Sequence, residues 1–585
     1  MDALGRRSPA GWLTAFALAV LAASWPGPAA SEDLLVVDAP GARRGGRLVV
    51  ALRSEAKTFN PVNVVDSATR EVIGRMNANL IAIDRQSLRT GPALARSWTR
   101  SADGRRYTLA LRRGLKFSDG HPFDADDVVF TFEAYLDERN RSPQRDLLVV
   151  GGKPIAVSKV DAHTVVFDLE QPYAAAERLF DGISILPRHR LEAAHREGKL
   201  AQAWGLGTAP GEMAGLGPFR LKAYVPGERV VLERNPHYWK SDGRGRRLPH
   251  LDELVFLFVP SEDAQVIRFQ AGETDAISRL SAENFAVLAK APQKDRLRLQ
   301  DLGPGLEHAF VFFNLNHDLA ARGLASLARK QVWFKEASFR QAVSAAIDRA
   351  GIVRLVYQGR AAALSSPVSP GYGTWVNRSL PAPRRSLPRA REMLRAGGFT
   401  WAADGTLHDP SGTAVEFSIV TSSGNAARLK MATIVQDDLR QLGMRVRVVP
   451  LEQRAVIDRV LNTLDYEACV LALAGGDADP NVEMNVWLSG GAMHFWRLGG
   501  AGEPLPGQPE IDRLMREQVT TLDPSERKRL FDRVQELIAA HLPVIPLVGP
   551  HVLVGAKEGL VNLRPAVVES HLLWNADELG WREVP

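Results

Sequence analysis

The chain has 585 residues, 45% hydrophobic and 24% charged, with a formal net charge of +6. That length exceeds what one core organises and predicts two or three domains of ordinary globular composition. The single cysteine, Cys469, excludes a disulfide within the chain, so a large core must carry the stability. The basic residues are dispersed, apart from Arg244, Arg246, Arg247 and the pair Arg384–Arg385 in Pro/Gly-rich loops. These read as solvated loops and not as a nucleic-acid surface.

In chain order, residues 1–30 read as a signal peptide. Arg6 and Arg7 give a positive start, and Trp12–Ala23 is apolar but too short to span a bilayer, which needs roughly twenty residues. Gly27–Ala30 supplies small residues for cleavage, and no cysteine stands there to be lipidated. A short strand follows at Gly46–Leu52. The segment Tyr107–Glu133, YTLALRRGLKFSDGHPFDADDVVFTFE, then reads as strand, turn and capped helix. Tyr107, Leu109 and Leu111 alternate with Thr108, Ala110 and Arg112, Asp119–Gly120 suits a turn, and Asp124 is placed to cap a helix with Asp126 and Asp127 in its first turn. Another alternating stretch covers Thr164–Leu169. Gly215–Trp239, GLGPFRLKAYVPGERVVLERNPHYW, predicts a β-hairpin turning at Pro226–Gly227.

The second half switches to strand–helix alternation. Phe339, Ala342, Val343, Ala346, Ile347 and Ala350 share one helix face. Val415–Val420, Asn425–Leu442 and Met444–Val449 predict a right-handed βαβ unit, with Asn425 as cap and Gly443 as its left-handed end. Cys469 lies in the apolar run Tyr466–Ala474, which reads as a buried strand. Asp523–Glu526 offers a cap, a proline at the first helical position and an acid for one more helix.

Catalytic signatures are missing from the sequence. There is no GxSxG, HExxH or GxxxxGK[ST], no cysteine pair at zinc spacing, and the thirteen histidines are scattered. Asp477, Asp479 and Asn481 begin like a calcium loop, but Val482 and Leu488 stand where a turn glycine and a bidentate Glu would be needed. No cofactor, metal or catalytic residue is therefore expected. The informative reading is positional, because ligands bind beyond the carboxyl ends of parallel strands. Asp477 follows a strand through Gly475–Gly476, and Ser422 lies where the Val415–Val420 strand leads into a helix N-terminus.

The segment Tyr107–Glu133, the hairpin Gly215–Trp239, FQAGETDA at 269–276 and FRQAVSAAIDR at 339–349 resemble, in this order, the family 5 extracellular solute-binding proteins. These are the dipeptide-, oligopeptide- and nickel-binding receptors of bacterial ABC importers. The resemblance implies an α/β periplasmic-binding-protein type II fold, two lobes joined by a hinge plus an extra third domain. By analogy, the first lobe takes 31–75, 184–265 and 548–585, the extra domain 76–183 and the second lobe 266–547. It implies a periplasmic, non-lipidated monomer that captures a small solute, short peptides foremost, for the transmembrane subunits of an ABC permease. It implies no enzyme and no nucleic-acid partner.

Peptide-binding members place an acid four residues before a proline to pair with the ligand's ammonium. Here that position before Pro480 is Gly476, with Asp477 offset by one. Either Asp477 takes the role or a free amino terminus is not bound. The loop Leu471–Asp477, with Leu473, Gly475 and Gly476, offers backbone groups to which an extended ligand could add as a strand. Tyr372, Trp375 and Trp487 lie in regions suited to line a cavity, and Arg53 and Glu55 are placed to close from the opposite lobe. The rival expectations are a non-peptide ligand (a metal chelate, sugar conjugate or opine), a secreted hydrolase, or a sensory receptor without transport.

Overall fold

The computed structural model describes residues 32–500 and 502–583, so the expected signal peptide lies outside the described residues. Two large sheets organise the chain. The first runs through Phe219–Val225, Arg229–Arg234, Glu253–Phe258, Arg47–Leu52, Ala276–Ile277, Val548–Lys557 and Leu297–Pro304, with Ala361–Ala363 also pairing to Val548–Lys557. Arg47–Leu52 lies parallel to both of its neighbours. Its continuous run Leu48–Val50 is buried, as a strand covered on both faces requires. The hairpin at 219–234 turns where Pro226–Gly227 stands, Gly227 taking φ 69°.

The second sheet has the order Arg445–Leu451, Glu416–Ser422, Ala468–Leu473, His308–Phe313 and Val544–Pro546. Its βαβ unit pairs Glu416 with Arg445 through Ser422 with Leu451 in parallel register. The intervening helix, Ala426–Arg440, starts on Asn425, whose side chain accepts from the Arg428 amide at 2.9 Å. The chain leaves that helix through Gly443 at φ 88°, where a Cβ would meet the Gly405 carbonyl oxygen at 2.2 Å. Only glycine fits there. Cys469 is wholly buried in the middle strand, and burial pushes its thiol up to about 12, which leaves it unreactive.

A third, antiparallel sheet of Ala156–Asp161, Thr164–Asp168, Arg106–Leu111 and Ala95–Arg100 is covered by the helix Ala125–Leu136. Asp124 caps that helix in a full capping box with Asp127. This sheet shares one apolar core with the first, whereas the second sheet has a core of its own. Residues 276–277 and 297–304 fall within the span 266–547 that the resemblance assigns to one lobe. They pair instead with Val548–Lys557 in the first sheet. Periodicity cannot announce such partners, because they lie far apart in the sequence.

Candidate ligand-binding cleft

A cavity of about 990 Å³ opens between the two large sheets. Its walls come from the end of the first strand (50–54), the helix Ser67–Met76, residues 173–184 of the third-sheet region, the loop 476–482, and the C-terminal stretch 564–578. Distant parts of the chain therefore meet at one space.

The loop after Ala468–Leu473 is its most constrained wall. A Cβ on Gly475 would lie 2.2 Å from the Tyr372 hydroxyl, so the backbone must pass close there, while Gly476 faces open space. Asp477 accepts from the Ala478 amide at 2.7 Å and forms an ion pair with Arg178, which lies on the helix Ala176–Gly182 across the cleft. Arg178 also reaches Asp479 at 3.2 Å. Asp479 is 2% exposed, caps the short helix Pro480–Glu483, and takes Arg527 in two bonds of 2.6 and 2.8 Å. Burial pushes the Asp479 carboxyl up. The hydrogen bonds and charge of Arg527, with the charge of Arg178, outweigh burial and hold it below the usual carboxylate range.

The same loop is sewn to the opposite wall elsewhere. Asn481 Nδ2 donates to the Tyr173 hydroxyl at 2.6 Å, and the neighbouring Ala174 amide donates at 2.7 Å to the carbonyl of Val519 on the helix Gln508–Thr520. Beneath it, the Tyr372 hydroxyl donates to the Glu483 carboxylate and Trp487 Nε1 donates to it at 3.2 Å. Burial pushes the Glu483 carboxyl up, against these two hydrogen bonds.

Of the side chains and glycines singled out by sequence, Arg53, Gly476 and Asp477 stand in the cleft wall. Arg53 is tied to Glu262 at 3.0 Å and to the Arg279 carbonyl at 3.2 Å. Glu55 points away to the hairpin turn, accepting from the Gly227 amide at 2.8 Å and from the Tyr224 hydroxyl. Tyr372, Trp487 and Gly475 form the floor beneath the loop, outside the lining. Trp375 lies under the Arg527 guanidinium at 5.0 Å, and Ser422 and Leu473 sit at strand ends beyond the wall. Arg178, Tyr173, Arg89 and the stretch 564–578 went unnoticed in the sequence. Nothing local marks them, since each matters only through a partner far along the chain. Among the described residues no cluster of three or more His, Cys, Asp or Glu is placed to hold a metal ion, and no helix is long and apolar enough to cross a membrane.

Residues 89–495 match the family described as bacterial extracellular solute-binding proteins, family 5 middle, which is well over half of the chain. The chain is 26% identical over 526 residues to a probable ABC transporter-binding protein of Deinococcus radiodurans, covering 86% of each. It is 24% identical over 556 residues to the oligopeptide-binding protein AppA of Bacillus subtilis, covering 93% of each. In fold it is similar to the ABC transporter substrate-binding protein CtaP of Listeria monocytogenes, with a TM-score of 0.75, 23% identity, and coverage of 92% of this chain and 100% of that one. The architecture is the periplasmic-binding-protein type II fold, two α/β lobes facing a cleft. The chain belongs to the family 5 bacterial extracellular solute-binding proteins.

Proposed function

We propose that this protein is the periplasmic solute-binding component of an ABC importer, capturing a small solute, short peptides foremost, and handing it to the permease. The observation that carries the reading is the cleft of about 990 Å³ between two lobes in a chain of this family. That volume is at the upper end of small-ligand sites, which run to about 1,000 Å³. In this reading residues 1–30 direct export and are removed, no lipid anchors the mature monomer, and the strands at 276–277 and 297–304 go with the first lobe and not the second. The lobes close by a hinge, and the closed form is what the permease recognises. No step of chemistry on the solute is required.

A second reading, a dedicated non-peptide solute, is favoured by the engagement of Asp477 with Arg178, which occupies the acid that a peptide ammonium would use. Native mass spectrometry of the mature protein, purified without denaturation, separates the two. A spread of adducts at peptide masses is expected for a broad peptide receptor. One discrete adduct would identify a dedicated ligand instead. An empty protein whose melting temperature no peptide mixture raises would sink the peptide reading.

A further inference from the structure

Nine basic side chains and seven carboxylates line the cleft. Every one of the seven carboxylates has a basic partner inside the protein. Asp181 takes Arg85 at 2.9 Å and Asp577 takes Lys240 at 2.8 Å, while Glu569 serves both Arg70 and Arg279. No acid of the wall is left free for a cationic group. Arg89, by contrast, is exposed in the wall, and its guanidinium has no hydrogen-bond or ion-pair partner among the described residues.

Asp477 is the one carboxylate that the second lobe contributes to this lining, and Arg178 already neutralises it. The Arg178 side chain is only 20% exposed and is held by two acids, Asp477 and Asp479. A ligand ammonium could reach Asp477 only by displacing a guanidinium held at both ends. Arg178 would then be left beside Asp479 and Arg527, within a site already supplied with positive charge. An ammonium docking next to an undisplaced Arg178 would meet a like charge.

We infer that Arg178 is a specificity-determining residue. By neutralising Asp477 in advance it makes the cleft reject solutes with a free amino terminus. The cleft accepts an acidic solute whose amine is absent or blocked, with Arg89 as the free counter-charge for a carboxylate. The inference rests on the reading of this chain as a solute receptor and narrows its substrate class.

The test is a matched pair of probe pools, short acidic peptides with free amino termini and the same peptides N-acetylated. Both are titrated into the mature wild type, Arg178→Met and Arg89→Ala. The wild type should bind the acetylated pool tighter by about tenfold or more, the scale of one lost charge pair. Arg178→Met should reverse or erase that preference, and Arg89→Ala should weaken the acetylated pool by about tenfold. A wild type that prefers the free-amine pool, or an Arg178→Met protein with an unchanged ratio, overturns the inference. If neither pool binds the wild type, it is the peptide reading that has failed. Arg178→Met then decides the inference alone: gained binding of free-amine peptides supports it, and continued silence overturns it. Should Arg178→Met not fold, Asp477→Asn takes its place. Free-amine affinity should not change in that variant, and a loss would identify Asp477 as the partner of the amine and overturn the inference.

Discussion

The segment Asp119–Asp127 and the loop Asp477–Glu483 are both rich in acids, and they use them in opposite ways. In the first, the two capping acids, Asp124 and Asp127, are satisfied by backbone amides, while Asp119 and Asp126 pair with His189, Arg190, Lys159 and Arg188. Asp124 accepts from the Asp126 amide at 2.8 Å, and Asp127 accepts from the Asp124 amide at 3.1 Å and the Arg188 amide at 2.9 Å. In the second, beyond local backbone caps, the charged partners are side chains from far away: Arg178 is 299 residues from Asp477, and Arg527 is 48 from Asp479. Acids that satisfy amides shape one helix start. Acids that satisfy remote guanidinium groups tie separate bodies together, and removing either partner strands a charge.

The sharpest way to break this contrast is Arg527→Met, which leaves Asp479 buried with Arg178 as its one cation. Stranding a buried charge costs about 3–5 kcal/mol, so the urea midpoint should fall steeply. A shift near zero would show that Arg178 alone suffices. The two regions should also respond to pH with opposite sign. Burial pushes Asp127 up to about 7 from an ordinary 3.8, against its two backbone bonds. The native state therefore holds a proton that the unfolded chain has released, so this group's contribution is full below 3.8 and is lost as pH rises to about 7. The loss is at most about 4 kcal/mol, and Asp127→Asn should flatten that slope in urea unfolding across pH 4 to 8. Asp479, held low, contributes above its unfolded value of 3.8 and loses that contribution as pH falls through its depressed native value. The smallest effect is expected of Asp124→Ala, about 1 kcal/mol for a lost cap. A much larger loss would mean that the signature helix supports more than its own start.

This difference in reach also decides what the sequence could reveal. Capping by Asp124, Asn425 and Asp523 was legible because each partner lies within three residues. The βαβ unit was legible because its period and its breakers are local. Arg178 sits in an unremarkable helix, and its meaning comes from a loop that folding brings to it. Tyr372 and Trp487 were expected to line a cavity, and neither stands in the cleft wall. Their polar tips turn to Glu483 beneath the loop, because a buried hydroxyl or indole N–H needs a partner and the cleft does not supply one there. Leu297–Pro304 joins the first sheet through Val548–Lys557, a pairing that no window of residues contains.

That late strand has a consequence for how the molecule comes into being. Val548–Lys557 lies between Ala276–Ile277 and Leu297–Pro304 and also receives Ala361–Ala363, so three earlier strands await it. As a growing chain emerges, the second sheet can acquire its last strand, Val544–Pro546, only a few residues before the first sheet can close. Both lobes thus reach completion almost together, once the stretch 544–557 has been made. Until then each presents unpaired strand edges, the state in which a chain is slowest to compact and most readily held by a chaperone or threaded through a pore.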